Sequence, residues 1–274
     1  MSYDGKIVWI TGASSGIGEA LARAFASEGA SIVLSGRRVD ALDQVASEIP
    51  TEALVRPFEV TDYEQLDSIV ETTWDWKGRV DILVNNAGVS QRSLAINTAP
   101  DVYAKLINID LIAPIWLTQL QLQRMADAGG GHIVAISSVA GRFGAPLRTA
   151  YSAAKHGLIG YMDALRTEVS QHHNIQVTNV LPGSVSTNVS RNALMADGSI
   201  RGASDKAIDQ GDDPADCAQA ILKAVSNKEA ELIYAKGLEL ELSQLRQSAP
   251  EKLFEMTGNF GAKIAAKFDR GDWK

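Results

Sequence analysis

A tyrosine and a lysine lie four residues apart in the sequence YSAAK (151–155). In a helix, this spacing brings Tyr151 and Lys155 to the same face. An ordinary phenol, with a pKa of about 10, is a poor proton shuttle at neutral pH, but a nearby ammonium group favours the phenolate. The pair therefore indicates proton transfer at an oxygen atom, although a tyrosine and a lysine at this spacing also occur as a solvated surface pair.

Ser138 ends an apolar run, at 131–138, that is typical of a buried strand. In an open α/β sheet, the carboxyl ends of the strands form the edge where ligands bind. The Ser138 hydroxyl is thus a candidate hydrogen-bond partner for an oxygen of a bound molecule. Its neighbour Ser137 is the alternative, but side chains alternate along a strand, which would send Ser137 to the opposite face.

The sequence TGASSGIG (11–18) lies between an apolar run and an amphipathic helical stretch. Gly12, Gly16 and Gly18 allow a sharp turn and let a pyrophosphate approach the helix N-terminus, where free N–H groups favour an anion. Their spacing, G-x-x-x-G-x-G, differs from the G-x-G-x-x-G dinucleotide fingerprint. The turn predicts a nucleotide site, with a purely structural turn as the alternative.

Short apolar runs alternate with amphipathic helical stretches along the chain. The runs predict seven strands, at 6–11, 31–35, 53–60, 80–86, 131–138, 174–182 and 231–235. Helices are predicted between them, including one at 150–172 and a long one at 101–128 that Pro114 would bend. Strands that are apolar on both faces and alternate with helices indicate an α/β fold whose parallel sheet is covered on both sides.

Taken together, these motifs resemble the short-chain dehydrogenase/reductase family. The glycine turn, NNAG (85–88), Ser138, the YxxxK pattern and PG (182–183) occur in the family's order and spacing, over residues 6–234. The resemblance implies a single Rossmann-like doubly wound domain with a seven-stranded parallel sheet and helices on both faces. We expect the dinucleotide-binding and catalytic domain to span residues 1–236, with a lid at 184–213. Residues 237–274 are expected to form a helical extension that packs on the body or on a partner subunit.

The resemblance also implies the catalytic roles. Tyr151 would be the general acid or base, Lys155 would also hold the nicotinamide ribose, and Ser138 would polarise the carbonyl. Asn108 matches the family's fourth catalytic position, where it supports the lysine through a water; otherwise it is a helix cap or a buried amide. No metal is expected, because the four histidines and the single cysteine lack the spacing of a metal site.

A nicotinamide dinucleotide is the cofactor that the resemblance implies, and the second predicted strand bears on which one. That strand ends SIVLSGRR (31–38), with no carboxylate before Asp40. Arg37, assisted by Arg38, would therefore pair with the 2′-phosphate of NADP(H). NAD(H) is the less favoured cofactor. The alternative to a phosphate contact is that the two arginines are merely solvated at the start of a helix. The family often has aspartate where this chain has Glu59, which leaves an adenine contact by that side chain open.

The remaining cofactor contacts are expected from the segments that carry the motifs. The NNAG segment would lie beside the adenosine; the alternative is that it is only a turn that ends a strand. The segment PGSVST (182–187) would hold the carboxamide of the nicotinamide. The predicted cofactor-binding residues are Gly12, Ser14, Ser15, Gly16, Ile17, Gly18, Arg37, Arg38, Val60, Asn86, Ala87, Gly88, Tyr151, Lys155, Pro182, Gly183, Val185 and Thr187.

The expected substrate is a small molecule with a carbonyl or secondary alcohol on a largely apolar body, because the residues predicted to line its site are mostly apolar. They are Ser138, Val139, Ala140, Phe143, Tyr151, Val189, Leu194 and Met195. Arg92 and Arg142 lie on neighbouring loops and would suit an acidic substrate instead. The alternative is that both are ordinary solvated arginines. Hydride transfer between NADP(H) and such a substrate is the favoured function. A non-catalytic NADP-binding sensor or scaffold is the alternative; the chain length and the TGxxxGxG spacing disfavour an epimerase or dehydratase.

The composition excludes several other classes of protein. The chain has 274 residues, 45% of them hydrophobic, and a formal net charge of −7, so it offers no electrostatic footprint for nucleic acid or anionic lipid. A single cysteine excludes an internal disulfide framework, and no apolar run reaches the length of a membrane span. Because no signal peptide is recognisable, we expect a cytoplasmic protein. The family resemblance implies a homodimer or homotetramer that pairs the helices near 101–128 and 150–172.

Overall fold

The computed structural model describes residues 2–270. Residue 1 of the predicted domain and residues 271–274 of the predicted extension lie outside the described residues. The strands are β1 (Ile7–Thr11), β2 (Ser31–Ser35), β3 (Ala53–Val55), β4 (Ile82–Asn85), β5 (Gly131–Ile136), β6 (Ile175–Pro182) and β7 (Glu231–Tyr234). The α-helices are α1 (Gly16–Ser27), α2 (Val39–Glu48), α3 (Leu66–Asp75), α4 (Pro100–Ile107), α5 (Ala113–Asp127), α6 (Thr149–Val169), α7 (Lys206–Asp209), α8 (Pro214–Ser226), α9 (Gly237–Ser248) and α10 (Pro250–Asp269).

The seven strands form one parallel sheet in the order β3-β2-β1-β4-β5-β6-β7. The strand order reverses between β1 and β4, so the chain leaves these strands toward opposite sides and opens a crevice at their carboxyl ends. Thr11, Asn85, Ile136 and Pro182 are the last residues of β1, β4, β5 and β6. The loops that carry the sequence motifs therefore all begin at the same edge of the sheet.

Helices cover both faces because the central strands are apolar on both sides. Trp9 and Ile10 of β1 are both fully buried and belong to different clusters, as the alternation of a strand requires. Ile10 packs with Phe25 of α1 and Ile221 of α8, whereas Trp9 packs with Leu158 of α6. Each such side chain stabilises the fold by about 2 kcal/mol. The predicted doubly wound α/β fold with a seven-stranded parallel sheet is confirmed.

The long helix predicted at 101–128 is divided in the structure. Helix α4 ends at Ile107, a π-helical turn occupies Asn108–Ile112, and α5 begins at Ala113. Pro114 has no N–H to donate to the carbonyl four residues before it, and its ring crowds that carbonyl. The regular α-helical hydrogen-bonding pattern is therefore replaced by a wider, π-helical turn. The distortion thus precedes Pro114 by one turn and lies beside the carboxyl edge of the sheet.

The third predicted strand, 53–60, is shorter than its apolar run. Strand β3 ends at Val55, because Pro57 has no N–H for regular pairing at this outer position in the sheet. The Phe58 N–H still donates to the Gly36 carbonyl at 3.1 Å, so the extended chain continues beside β2 and brings the residues after it to the carboxyl edge.

The described part of the C-terminal extension is helical. Helices α9 and α10 pack together, and Leu253 of α10 joins a buried cluster with Val139 and Phe143 from the turn after β5. None of the helices within residues 2–270 combines the length and the apolar character needed to cross a lipid bilayer.

Candidate active site

The glycine turn between β1 and α1 has the backbone that its sequence predicts. Gly12 and Gly16 have φ angles of +67° and +60°, a conformation that residues with a Cβ rarely adopt. A Cβ on Gly16 would lie 3.0 Å from Thr187 Cγ2, and a Cβ on Gly18 would collide with the Gly12 carbonyl and the Asn86 side chain. The turn therefore packs directly against two other segments predicted to bind the cofactor.

The residues between these glycines contribute in different ways. Ser15 and Thr187 line a cleft of about 670 Å³ between α1 and α8. The Ile17 side chain is half-buried and packs against the core. The hydroxyl and the carbonyl of Ser14 accept hydrogen bonds from Arg38 Nη2, both at 3.0 Å. The end of β2 is thereby joined to the glycine turn.

The NNAG segment after β4 is joined to the glycine turn by hydrogen bonds. Thr11 Oγ1 accepts from the N–H groups of Asn86 and Ala87, both at 3.0 Å, and Asn86 Nδ2 donates to the Thr11 carbonyl at 2.9 Å. Ala87 and Val60 line one small cavity together with Phe58. The segment thus holds the carboxyl ends of β1 and β4 in register and forms an apolar wall beside them.

Arg37 extends into solvent at the carboxyl end of β2. Its side chain is 71% exposed, and Nη1 lies 3.4 Å from Glu59 Oε2 in an ion pair. Arg38 differs, because its guanidinium group is already engaged by Ser14. Both arginines predicted at the 2′-phosphate are exposed: Arg37 pairs with Glu59, whereas Arg38 is anchored to the glycine turn through Ser14. Glu59 is the partner of Arg37 in the structure.

Two adjacent serines after β5 hold different elements. Ser138 Oγ accepts from the Ala140 N–H at 3.1 Å and donates to the Pro182 carbonyl at 3.4 Å, so it lies between the ends of β5 and β6. Ser137 is buried, and its hydroxyl donates to the Lys155 carbonyl at 3.1 Å. Ser137 thus fastens α6 to the sheet, whereas the half-buried Ser138 borders the crevice.

Tyr151 and Lys155 lie on one face of α6. Lys155 is only 4% exposed; its Nζ lies 5.6 Å from the centre of the Tyr151 ring and donates to the Ile136 carbonyl at 3.0 Å. Gly88 passes beside this side chain, and a Cβ there would lie in ordinary van der Waals contact with Nζ, at 3.5 Å. Tyr151 is half-buried and packs in a cluster that includes Leu194. The phenol therefore stands at the border between the interior and the crevice, with a buried cation behind it.

A carboxylate that was not predicted completes this group. Asp110, in the π-helical turn, is fully buried; its Oδ1 lies 3.4 Å from Lys155 Nζ and accepts from the Val89 N–H at 3.1 Å. Among residues 2–270, Oδ2 has no hydrogen-bond partner. Burial raises the pKa of Asp110 to about 6, although the Lys155 ammonium opposes this rise.

The structure does not bring Asn108 to this group, contrary to the prediction. Asn108 lies on the exposed side of the chain at the junction of α4 and the π-helical turn, where its carbonyl accepts from Tyr63 Oη at 3.4 Å. Two residues along a helix are separated by about half a turn, so Asn108 and Asp110 face different sides. The sequence contained the signal, because Val102 and Leu106 precede Asp110 at intervals of four and share its buried face.

The turn after β6 is held by the C-terminal extension. Glu239 of α9 accepts from the Ser184 N–H at 2.8 Å and from the Ser184 hydroxyl at 2.9 Å, and a Cβ on Gly183 would collide with the Glu239 carboxylate. Val185 is buried, whereas Thr187 meets the glycine turn. A residue of the extension therefore positions the segment predicted to hold the carboxamide, which sequence motifs did not indicate.

The segment predicted as a lid, 184–213, is fastened to the body around one carboxylate. Asp205 forms ion pairs with Arg92 at 2.6 Å, Arg148 at 3.5 Å and Arg201. Burial by itself raises the pKa of Asp205, but these guanidinium groups, Arg92 above all, hold it well below its usual range. Burial, together with the neighbouring Arg148, lowers the pKa of Arg92 to about 10.

Neither arginine considered for an acidic substrate is unpaired. Arg92 is buried by the Asp205 cluster and also donates to Ser90 Oγ at 2.8 Å. Arg142 forms an ion pair with Glu231 of β7. Both guanidinium groups therefore have structural partners within the described chain.

The residues predicted to line the substrate site differ in exposure. Those that the structure buries are Val139, Ala140, Phe143 and Leu194, and those that it leaves half-buried are Val189 and Met195. Phe143 packs against Leu253 of α10, so the extension supports this side of the crevice.

The class of protein follows from this fold and site. The family model described as short chain dehydrogenase matches residues 6–197, and the chain belongs to this family of oxidoreductases. It is 36% identical over 266 residues to dehydrogenase/reductase SDR family member 7B of Bos taurus, covering 94% of this chain and 82% of that protein. It is 39% identical over 259 residues to dehydrogenase/reductase SDR family protein 7-like of Anopheles gambiae, covering 92% of this chain and 81% of that protein. The structure of a short-chain dehydrogenase from Streptomyces avermitilis is similar with a TM-score of 0.78 and 28% identity, covering 95% of this chain and 100% of that one.

Proposed function

We propose that this protein is an NADP(H)-dependent oxidoreductase that transfers a hydride between the nicotinamide and a carbonyl or secondary alcohol, with Tyr151 as the general acid or base. The observation that carries the proposal is the buried Lys155 ammonium group, 5.6 Å from the centre of the Tyr151 ring at the carboxyl edge of the sheet. Membership of a family of dehydrogenases and reductases supports the reaction class.

The residues present fit a dinucleotide. The glycine turn forms a cradle that a side chain at Gly18 would fill, and the N-terminus of α1 offers N–H donors to a pyrophosphate. Val60 and Ala87 would flank the adenine, and the Val185 backbone and Thr187 would hold the carboxamide. When bound, the nicotinamide ring supplies or accepts the hydride.

Proton transfer falls to the protein. In reduction, the Tyr151 hydroxyl would give its proton to the substrate oxygen, while the Ser138 hydroxyl would turn from the Pro182 carbonyl and donate a hydrogen bond to the same oxygen. In oxidation, the Tyr151 phenolate would take the proton back. Lys155, held by the Ile136 carbonyl at 3.0 Å, would stabilise that phenolate and bind the cofactor ribose. A positioned acid or base of this kind contributes about 10²–10⁴-fold to the rate.

The charge at the end of β2 supports NADP(H) rather than NAD(H). Arg37 presents a largely exposed guanidinium group there, and no carboxylate lies between residues 31 and 38. A 2′-phosphate would share or replace the contact that Arg37 makes with Glu59, and a bidentate phosphate contact is stronger than an exposed ion pair.

For the substrate, we propose a ketone or secondary alcohol on a largely apolar body. Tyr151 packs in a cluster with Val102 and Leu194, and the buried Arg92 is paired with Asp205. An apolar substrate body would therefore meet apolar neighbours beside the phenol. We also propose a homodimer or homotetramer that pairs α5 and α6.

The test combines binding with turnover. Wild-type protein is titrated with NADPH and NADH by nicotinamide fluorescence and then screened with apolar ketones and alcohols. We expect binding of NADPH in preference to NADH, and turnover that Tyr151→Phe abolishes while NADPH affinity is unchanged. Tyr103→Phe, which removes a hydroxyl from the same side-chain cluster, is the matched control and should retain turnover. Near-normal turnover by Tyr151→Phe would contradict the assigned role, and tight binding without turnover would favour an NADP-binding sensor.

A further inference from the structure

We infer that Asp110 is a positioning residue of the proton-transfer group, whose carboxylate offsets the charge of the Lys155 ammonium and thereby keeps Tyr151 in its phenol form to higher pH. The inference rests on the proposed function, in which that phenol is the proton donor for carbonyl reduction. It is carried by one juxtaposition: Lys155 Nζ lies 5.6 Å from the centre of the Tyr151 ring and 3.4 Å from Asp110 Oδ1.

The ammonium group is held in place from two sides. The Ile136 carbonyl accepts from Lys155 Nζ at 3.0 Å, and the Asp110 carboxylate is itself held by the Val89 N–H at 3.1 Å. Gly88 has no side chain to separate the two charges, since a Cβ there would meet Asp110 Oδ1. The pair is therefore built into the packing of α6, the π-helical turn and the loop after β4.

Burial makes this pairing electrostatically strong. Asp110 is fully buried and Lys155 nearly so, and charges screened poorly by water interact over longer distances than surface charges do. The pKa of Asp110 is raised to about 6, so the carboxylate remains mostly charged at neutral pH. A cation that is already paired with an anion stabilises a neighbouring phenolate less than a free cation would.

The other elements packed around Asp110 bring no competing charge to it. The loop after β4 faces it with the Val89 N–H, and α6 faces it with Lys155. The charged residues of α4, which are Asp101 and Lys105, are exposed, and so are Arg124 and Asp127 at the far end of α5. Within the described residues, the balance of charge behind the Tyr151 ring is thus set by Lys155 and Asp110.

The consequence is a bias in the pH range of each direction of the reaction. Carbonyl reduction consumes a proton and needs Tyr151 as a phenol, whereas alcohol oxidation needs the phenolate to accept one. By favouring the phenol, Asp110 would extend the reductive activity toward alkaline pH and move the onset of the oxidative activity upward.

The deciding experiment follows phenolate absorbance during an alkaline titration of the protein without cofactor. The absorbance signal of Tyr151 in the wild type is obtained by subtracting the titration curve of Tyr151→Phe from the wild-type curve. In the Asp110→Asn background, it is obtained by subtracting the curve of the double variant, which carries both substitutions, from the curve of Asp110→Asn. Asparagine keeps the size of the side chain and the acceptor for the Val89 N–H. We expect the Tyr151 midpoint in Asp110→Asn to fall by about one pH unit. An unchanged or raised midpoint would overturn the inference.

Two further variants serve as a control and as a second test of this result. Asn108→Ala, two residues away and exposed, should leave the Tyr151 midpoint unchanged; an equal shift there would show a general effect of the π-helical turn and overturn the inference. Gly88→Ala keeps Asp110 but displaces its carboxylate from Lys155, and it should lower the midpoint as well, which covers the case that Asp110→Asn does not fold.

Turnover provides a second readout that separates this inference from the proposed function. In the wild type, the alkaline limb of carbonyl reduction should lie about one pH unit above that of Asp110→Asn. If no substrate is turned over, the proposed function fails, whereas the absorbance titration still decides what Asp110 does to Tyr151. If the wild type and Asp110→Asn turn over substrate with identical pH profiles and have identical Tyr151 midpoints, Asp110 has only a structural role.

Discussion

Arg92, in the loop after β4, and Asp205, in the segment after β6, form a buried ion pair in which the guanidinium Nη2 lies 2.6 Å from Oδ2. Arg148 at the start of α6 and Arg201 approach the same carboxylate. Three chain segments that border the crevice are therefore joined at a single acidic side chain.

Removing that side chain should destabilise the protein. Asp205→Ala leaves Arg92 buried without its counter-ion, and we expect the free energy of unfolding to fall by about 3 kcal/mol. Urea unfolding measures the change. The control is Asp209→Ala, which removes an exposed carboxylate in the same segment and should stay within about 0.5 kcal/mol of the wild type. Equal losses in the two variants would show that the cluster does not hold the segment.

The stabilisation from Asp205 should also depend on pH. Its pKa lies below the usual range in the folded protein, so the unfolded chain takes up a proton first as the pH falls. The contribution is present above about pH 4 and is lost progressively below it. The difference in unfolding free energy between the wild type and Asp205→Ala should therefore shrink in acid, and a constant difference down to about pH 2 would contradict the pairing.

Gly18 should tolerate no side chain. Its Cβ would collide with the Gly12 carbonyl and the Asn86 side chain, so we expect Gly18→Ala to weaken NADPH binding at least tenfold, because the cradle must open. Gly160→Ala is the matched control: it lies on the exposed side of α6 with nothing within 4 Å of the added Cβ. That change should leave binding unchanged and stabilise the helix by about 0.5–1 kcal/mol. Normal NADPH binding by Gly18→Ala would show that the turn holds no phosphate.

Glu59 should compete with the cofactor for Arg37. The two side chains pair at 3.4 Å, so Glu59→Gln frees the guanidinium group and should strengthen NADPH binding by about threefold, whereas Arg37→Ala should weaken it by about tenfold or more. NADH affinity should change little in either variant, which makes it the internal control. The fluorescence titration with both nucleotides measures these effects, and equal changes for NADPH and NADH would contradict a 2′-phosphate contact.

His132 should make stability fall in mild acid. Thr178 Oγ1 donates to the Glu229 carbonyl, so it accepts from the His132 Nε2–H at 2.8 Å. Burial, with a smaller effect of Lys228, lowers the pKa of His132 to about 4. The unfolded chain therefore binds the proton first, and up to about 3 kcal/mol of stability is lost as the pH falls from about 6.5 to about 4.

Unfolding free energies measured across that range test the role of His132. His132→Gln should flatten the decline, whereas His172→Gln, at an exposed position, should keep it. The same slope in all three proteins would assign the acid sensitivity to other groups.

The parts of the site that could be predicted are those encoded over short distances in the chain. The glycine turn depends on backbone freedom at residues 11–18, and the Tyr151–Lys155 pair depends on helical periodicity alone. The alternation of apolar runs with helices was likewise enough for the sheet, because a strand that is apolar on both faces must be covered on both sides. Each of these is a local consequence of residue type and spacing.

Contacts between distant segments were not predictable in the same way. Asn108 and Asp110 lie in one apolar stretch, and the spacing of Val102, Leu106 and Asp110 indicates only that Asp110 is on the buried face. That this face meets Lys155 depends on how Pro114 distorts the helix and how that helix packs against α6. The pairing of Arg92 with Asp205 joins residues more than a hundred positions apart.

Sequence by itself determined the order of the elements, the glycine turn and the face of α6 that carries Tyr151. Only the tertiary structure decided which carboxylates meet those groups: Asp110 behind Lys155, Glu59 beside Arg37 and Glu239 under the turn after β6. The physical reason is that these residues are far apart along the chain, so their side chains come within contact distance only when the elements that carry them pack together. Which of these side chains become neighbours is therefore decided by the tertiary structure.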